Sequence, residues 1–175
     1  ALAIALKWLR EHDFSELASY EEKLTSYAYQ GLSKVPGITI YGPSPARHRR
    51  VGVISFNLEG ISHGLLASPL AHEAGIGVRH GCFCARPYVH HLLKLAPERI
   101  RQYEKGIQKG SNSALPGMVR ISFAFYNTVK EIDRLLEALE YIRAEGQKIK
   151  NRYHLVDSTG ERVPTFKGST QQLLA

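Results

Sequence analysis

The chain has only two cysteines in 175 residues, too few for the disulfide framework of a small secreted domain. They stand one residue apart, at Cys82 and Cys84, a spacing too short for a relaxed disulfide and unlike that of structural zinc sites. No apolar run approaches the roughly 18 residues needed to cross a bilayer. A signal-peptide pattern of basic start, apolar stretch and small-residue cleavage site is missing as well, so the expected compartment is the cytoplasm. RNP-like, zinc-finger and helix-turn-helix patterns are absent. The net charge is +7, yet its basic residues are dispersed, and neither nucleic acid nor membrane is an expected partner. Only Arg47-His48-Arg49-Arg50 clusters, and it reads as a solvated turn ahead of a strand. The opening helix, Ala1 to Arg10, has neither an initiator methionine nor a cap, as expected of a chain that continues upstream.

What is present suffices for one cored domain, since hydrophobic residues make up 43% and the length allows a sizeable core. Asp13 reads as an N-cap with Glu16 completing a capping box. Leu17, Tyr20, Leu24, Tyr27 and Gly31 then recur at helical spacing until Pro36-Gly37. Ile38 to Tyr41 is a short strand. Val51 to Leu58, apolar on both faces, reads as a strand covered on both sides. Ser62 caps a helix to Ala74, kinked at Pro69 and followed by Gly75. Ile76 to Arg79 reads as a strand, Tyr88 to Lys109 as a helix broken at Pro97, and Gly110 to Gly117 as a linker. Val119 to Phe125 alternates, with Val119, Ile121, Phe123 and Phe125 on one face and Arg120, Ser122 and Ala124 on the other. Thr128 and Glu131 form a second capping box, opening a helix that buries Val129, Ile132, Leu135, Leu136, Leu139 and Ile142. Asp157-Ser158-Thr159-Gly160 reads as a hairpin turn in a polar tail. The sum is an α+β fold, a small sheet of three or four strands with helices packed mainly on one face.

Chemistry concentrates in two segments. Arg79-His80-Gly81-Cys82-Phe83-Cys84-Ala85-Arg86-Pro87 sets thiols among cations, which lower a thiol pKa and raise its thiolate fraction. The other places Arg120 in a strand of apolar neighbours. A buried guanidinium needs a partner, and its planar fork suits a carboxylate, supplied most simply by the protein's own Asp or Glu. His80 is a candidate acid or base, although an exposed loop histidine is the simpler expectation, and His63 is placed to reach the same pocket. His90 and His91 point about 100° apart on a helix, which argues against a shared metal, and no metal site is expected. Asn127 and Thr128 read as capping residues.

The run Arg-x-Gly-x-x-Cys-Ala-x-Pro, a linker, and then Arg-x-Ser-x-x-x-Tyr-Asn-Thr resembles the cysteine desulfurase and selenocysteine lyase group of class-V aminotransferase-fold enzymes. Asn57-Leu58-Glu59-Gly60 with His63, the stretch Glu73 to Arg79, and Tyr20-Glu21-Glu22-Lys23-Leu24 are similar to that group's strand-to-helix turn, approach to the cysteine loop and long linking helix. The resemblance runs from Ala1 to Ile142 and implies the C-terminal small domain of a fold-type I enzyme. It further implies pyridoxal 5'-phosphate as cofactor, held by a lysine of a large domain upstream of Ala1 and by no residue of this chain. The implied substrate is L-cysteine, whose sulfur passes to a protein cysteine as a persulfide while alanine leaves. A sulfur-acceptor protein and a second subunit are the implied partners. By this resemblance Cys84 matches the nucleophile, Arg120 the arginine that holds the substrate carboxylate, and Arg79 a second arginine lining the same pocket.

Two departures accompany it. Cys82 stands where the group commonly has histidine and is a second sulfur carrier, a redox partner or inert. His90 to Pro116 is longer than in the sulfur-mobilising members. The expected organisation is the end of a linking helix over 1–13, the small domain over 14–150 and an extension over 151–175, inactive without the large domain. Two alternatives stay open: an aminotransferase, epimerase or other lyase of the same fold with Cys84 a bystander, and a basic, non-catalytic interaction module.

Overall fold

Two helices lead the chain in a computed structural model that describes residues 2–112 and 115–166. Ser113 and Ala114 of the expected linker, and 167–175 of the expected extension, lie outside the described residues. Helix α1 (Leu2–Arg10) buries none of its residues. Helix α2 (Phe14–Lys34) starts where the Asp13 side chain accepts from the Ser15 amide at 2.7 Å. That bond replaces the expected box with Glu16. The helix buries Leu24, Thr25, Ala28 and Leu32 and stops at Val35, which is extended because Pro36 follows.

Strands β1 (Ile38–Tyr41), β2 (Val53–Leu58), β3 (Arg79–Gly81) and β4 (Met118–Ser122) form one antiparallel sheet in the order β1-β2-β4-β3. Ile54, Phe56 and Leu58 of β2 and Val119 and Ile121 of β4 are buried, on the face that packs against α2, α3 (His63–His72) and α6 (Val129–Asn151). Val53, Ser55 and Asn57 alternate with them and are half-buried. This corrects the expectation of a strand covered on both sides, since the polar Ser55 and Asn57 mark a second, open face.

Other boundaries also move. Ile76 to Val78 is irregular, and the edge strand begins three residues later, over Arg79–Gly81. Helix α3 runs through Pro69 to His72. The Tyr88–Lys109 helix breaks ahead of Pro97 as expected, into α4 (Arg86–Leu92) and α5 (Pro97–Gln108), with Lys94 between them at a left-handed φ of 51°. β4 ends at Ser122, leaving Phe125 exposed. Val129 opens α6 on its exposed side and Leu136 is half-buried, whereas Ile132, Leu135, Leu139 and Ile142 enter the core as expected. The Thr128–Glu131 capping box forms.

A hairpin of β5 (Tyr153–Val156) and β6 (Glu161–Pro164) closes the described chain and packs on α3. Tyr153 belongs to the core, and its hydroxyl donates to Glu73 at 2.7 Å. Arg152 approaches the other Glu73 carboxylate oxygen at 2.7 Å, at an angle outside that of a hydrogen bond. Arg50, from the basic cluster, departs from the solvated role expected of it. It donates to the carbonyls of Pro43 and Val53 at 2.6 and 3.2 Å and lies over the Tyr29 ring.

Candidate active site

The cysteine loop leaves the edge strand through Gly81, whose φ of 101° few side chains adopt. Phe83 and Cys84 follow with φ of 54° and 59°, and the Ala85 amide donates back to the Cys82 carbonyl at 2.8 Å. Positive φ at both central positions is the mark of a type I′ turn, which two residues with side chains occupy at about 1–2 kcal/mol each. Cys84 is thereby raised into solvent at the tip. Cys82, at the start of the turn, is half-buried, and its thiol donates to the Pro116 carbonyl at 3.0 Å. Burial pushes the Cys82 thiol pKa up, and the Arg86 guanidinium only partly offsets it. The two thiols therefore differ in kind: one is tied down and protonated, the other free at the apex.

The open face of the sheet carries a row set by strand register. Tyr41 pairs with Ser55, Ser55 with Arg120, and Arg120 with Arg79. Directly paired residues share a face, so the two arginines stand side by side on the face away from the helices. Like charges in that relation repel. The expected protein carboxylate partner for Arg120 is absent: among the described residues, neither arginine has an ion pair with an Asp or Glu. Arg120 Nε is buried without a hydrogen-bond acceptor, and its guanidinium carbon lies 5.1 Å from the centre of the Phe83 ring. Two cations with an unused, buried donor form a site for an external anion, and a carboxylate matches the guanidinium fork.

The histidines lie elsewhere. His80 pairs in register with Val119 and so points to the helix side of the sheet, opposite Arg79 and Arg120. It is half-buried, which corrects the expected exposed loop histidine. His63, the first residue of α3, meets it with 3.1 Å between their Nδ1 atoms, and His63 Nε2 lies 2.9 Å from the Leu115 carbonyl. A carbonyl only accepts, so His63 carries its proton on Nε2. Its Nδ1 lone pair then receives the Nδ1–H of His80. Burial lowers both imidazole pKa values, for His80 with repulsion from His63 added. The pair is a neutral clamp on the segment Leu115–Gly117, the same strap whose Pro116 carbonyl holds Cys82. His90 is buried and His91 exposed on α4.

Sequence reasoning missed Phe83, Pro116, Tyr41, Ser55 and Asn57 as parts of this site. Asn57 lies on the open face and donates from Nδ2 to the Gly117 carbonyl at 3.0 Å. The polar alternation within Val53–Leu58 was the available signal for Ser55 and Asn57. Nothing local in the sequence links Pro116 to Cys82 or Phe83 to Arg120.

An edge-strand cysteine turn beside paired arginines, on a helix-backed antiparallel sheet, accords with the family match. Residues 1–135 match the model of Aminotransferase class-V, and the chain belongs to that family. Among its relatives, a probable cysteine desulfurase of Staphylococcus aureus strain Mu50 is 34% identical over 139 residues, 79% of this chain and 28% of that protein. A cysteine desulfurase of Klebsiella pneumoniae is 34% identical over 142 residues, 81% of this chain and 29% of that protein. The apo structure of a cysteine desulfurase from Thermococcus onnurineus superposes with a TM-score of 0.63 at 26% identity, covering 82% of this chain and 30% of that one. The chain thus spans less than a third of the length of these relatives.

Proposed function

We propose that this chain is the small domain of a pyridoxal phosphate-dependent cysteine desulfurase, in which Cys84 takes sulfur from L-cysteine. The observation that carries this reading is an exposed thiol on a strained turn beside two arginines that, among the described residues, pair with no carboxylate. Cysteine as substrate supplies both missing partners, a carboxylate for the arginines and a sulfur for the thiol. Arg120 contributes the buried Nε donor and Arg79 the exposed end of the row.

The residues of this chain do not fit the cofactor itself. No lysine stands on any strand among the described residues, and the open-face row suits a carboxylate at the amino-acid end. Holding pyridoxal phosphate falls to the length of the relatives that this chain does not span. When bound there, that group supplies an electron sink for the carbon that loses sulfur. Cys84 Sγ bonds to the substrate's sulfur as the carbon–sulfur bond breaks. The electron pair stays with the carbon, which takes a proton and departs within alanine, leaving a persulfide on Cys84 for an acceptor protein. A homodimeric parent and inactivity of this chain alone belong to the same proposal, as does the division into 1–13, 14–150 and 151–175. No helix among the described residues is long and apolar enough to cross a membrane.

Sulfide and alanine release from L-cysteine by the full-length parent tests it. Wild type and Cys82→Ala should release both under reductant, and Cys84→Ala should fall to background. Undiminished turnover by Cys84→Ala would assign the parent a different reaction of the same fold, with Cys84 a bystander.

A further inference from the structure

We infer that Phe83 is a positioning residue: its ring, held against the Arg120 guanidinium, ties the turn bearing Cys84 to the arginine that meets the substrate carboxylate. The inference rests on the proposed role of Arg120 and adds to it a physical link between carboxylate site and nucleophile.

The turn needs such a link. Phe83 and Cys84 both hold positive φ, a conformation a free loop of two non-glycine residues would abandon. Its upstream end is fixed by the Cys82 thiol on the Pro116 carbonyl. Its downstream end is fixed less firmly, because α4 begins after Ala85 with no side-chain cap. Between these ends, the contact recorded for the Phe83 ring is the Arg120 guanidinium, at 5.1 Å. Phe83 is half-buried while Cys84 beside it is exposed, so the turn is pinned through one side chain and presents the other.

The contact suits both partners. The face of an aromatic ring is electron-rich and attracts a cation, and among the described residues Arg120 has no carboxylate that would draw it away. The ring takes up none of the guanidinium's N–H groups as a carboxylate would, and the Nε of Arg120 is left without a hydrogen-bond partner. Phe83 therefore meets the guanidinium and seats the thiol together. An aliphatic side chain would fill the space without doing either.

The test is a double-mutant cycle on the full chain, reading the rate at which iodoacetamide alkylates Cys84, with the adduct located by fragment-ion mass spectrometry because Cys82 shares the peptide. Phe83→Leu should speed alkylation about fivefold by releasing the turn, the size of a partly desolvated cation–π contact. Arg120→Lys keeps the charge, removes the planar face and should act alike. The double variant should be no faster than the faster single one, because one contact is lost once, and Phe83→Tyr should restore the wild-type rate. If Phe83→Leu does not fold, Phe83→Met takes its place in the cycle. In the full-length parent, Phe83→Leu should lower kcat for sulfide release and leave KM near wild type. Additive effects in the cycle, or an unchanged rate in the Phe83 variant, would overturn the inference. The alkylation cycle needs no turnover, so a parent that releases no sulfide would sink the desulfurase reading and leave this link to be judged by the cycle.

Discussion

Cys82 and Cys84 stand one residue apart and are set to different tasks by their surroundings. The half-buried thiol donates to Pro116 and resists ionisation, while its neighbour stands exposed on left-handed backbone. The strap that holds Cys82 passes through Gly117, where an added Cβ would lie 2.6 Å from Gly81 Cα and 2.8 Å from His63 Nε2. Gly117→Ala should therefore destabilise the chain by about 1–3 kcal/mol, the range of overpacking, and speed alkylation of Cys82. A wild-type urea midpoint with Cys82 still protected would contradict that. The histidine clamp gives a pH dependence. Both rings titrate below their usual 6.5 because burial disfavours the imidazolium, so below that pH the unfolded chain binds more protons than the folded one. Stability is then lost as pH falls through 6.5 toward the lower folded values. The other charged groups bearing on His80 are Glu161 and Arg79. Thermal unfolding at about pH 7.5 and about pH 5.5 should give a smaller loss for His80→Asn than for wild type. Parallel losses would remove the clamp as the cause. At this scale the sequence motif singled out Cys84 and both arginines as candidates, whereas Phe83 meets Arg120 and Pro116 meets Cys82 through contacts that only the folded register creates.

The elements were legible where caps and periodicity agreed, as at α2, at α3 and at the Thr128–Glu131 box of α6. They were less so where an apolar stretch is irregular. Ile76-Gly77-Val78 looks strand-like, yet pairing with β4 begins at Arg79, so the edge strand carries Arg79, His80 and Gly81 and not the apolar residues. The expected linker over 110–117 is also more than a spacer, since Asn112 donates to the Ser158 carbonyl at 2.6 Å, beside the hairpin turn. The hairpin itself is fastened through Tyr153, whose phenol pKa is pushed well above its usual value by burial and by its bond to Glu73. Tyr153→Phe leaves the buried Glu73 carboxylate, 1% exposed, without that donor. The expected loss is about 1–3 kcal/mol, with faster hydrogen exchange in β5 and β6. Unchanged exchange there would mean that the Arg152 approach alone holds the hairpin.

Taken whole, the molecule is a sheet with one face given to its core and the other open, with two arginines side by side. The core face is closed by α2, α3 and α6. The opposite face carries Tyr41, Ser55, Arg120 and Arg79 in one row, with the Cys84 turn rising at its edge. Exposed apolar residues of α1, among them Leu2 and Ile4, and Phe14 just beyond it, leave apolar surface away from the core. The α+β architecture and the helix-backed sheet were legible because alternation in β4 and helical periodicity point to one core. The open face was not, because among the described residues its paired arginines meet no Asp or Glu, a lack that only the folded register reveals. The central claim is that sulfur from L-cysteine resides on Cys84. Incubating the full-length parent with sulfur-labelled L-cysteine, alkylating it without reductant and mapping the cysteine-loop peptide tests this most directly. The account predicts one labelled extra sulfur on Cys84 and none on Cys82. Label on Cys82, or an unlabelled loop in an enzyme that still consumes L-cysteine, would contradict it.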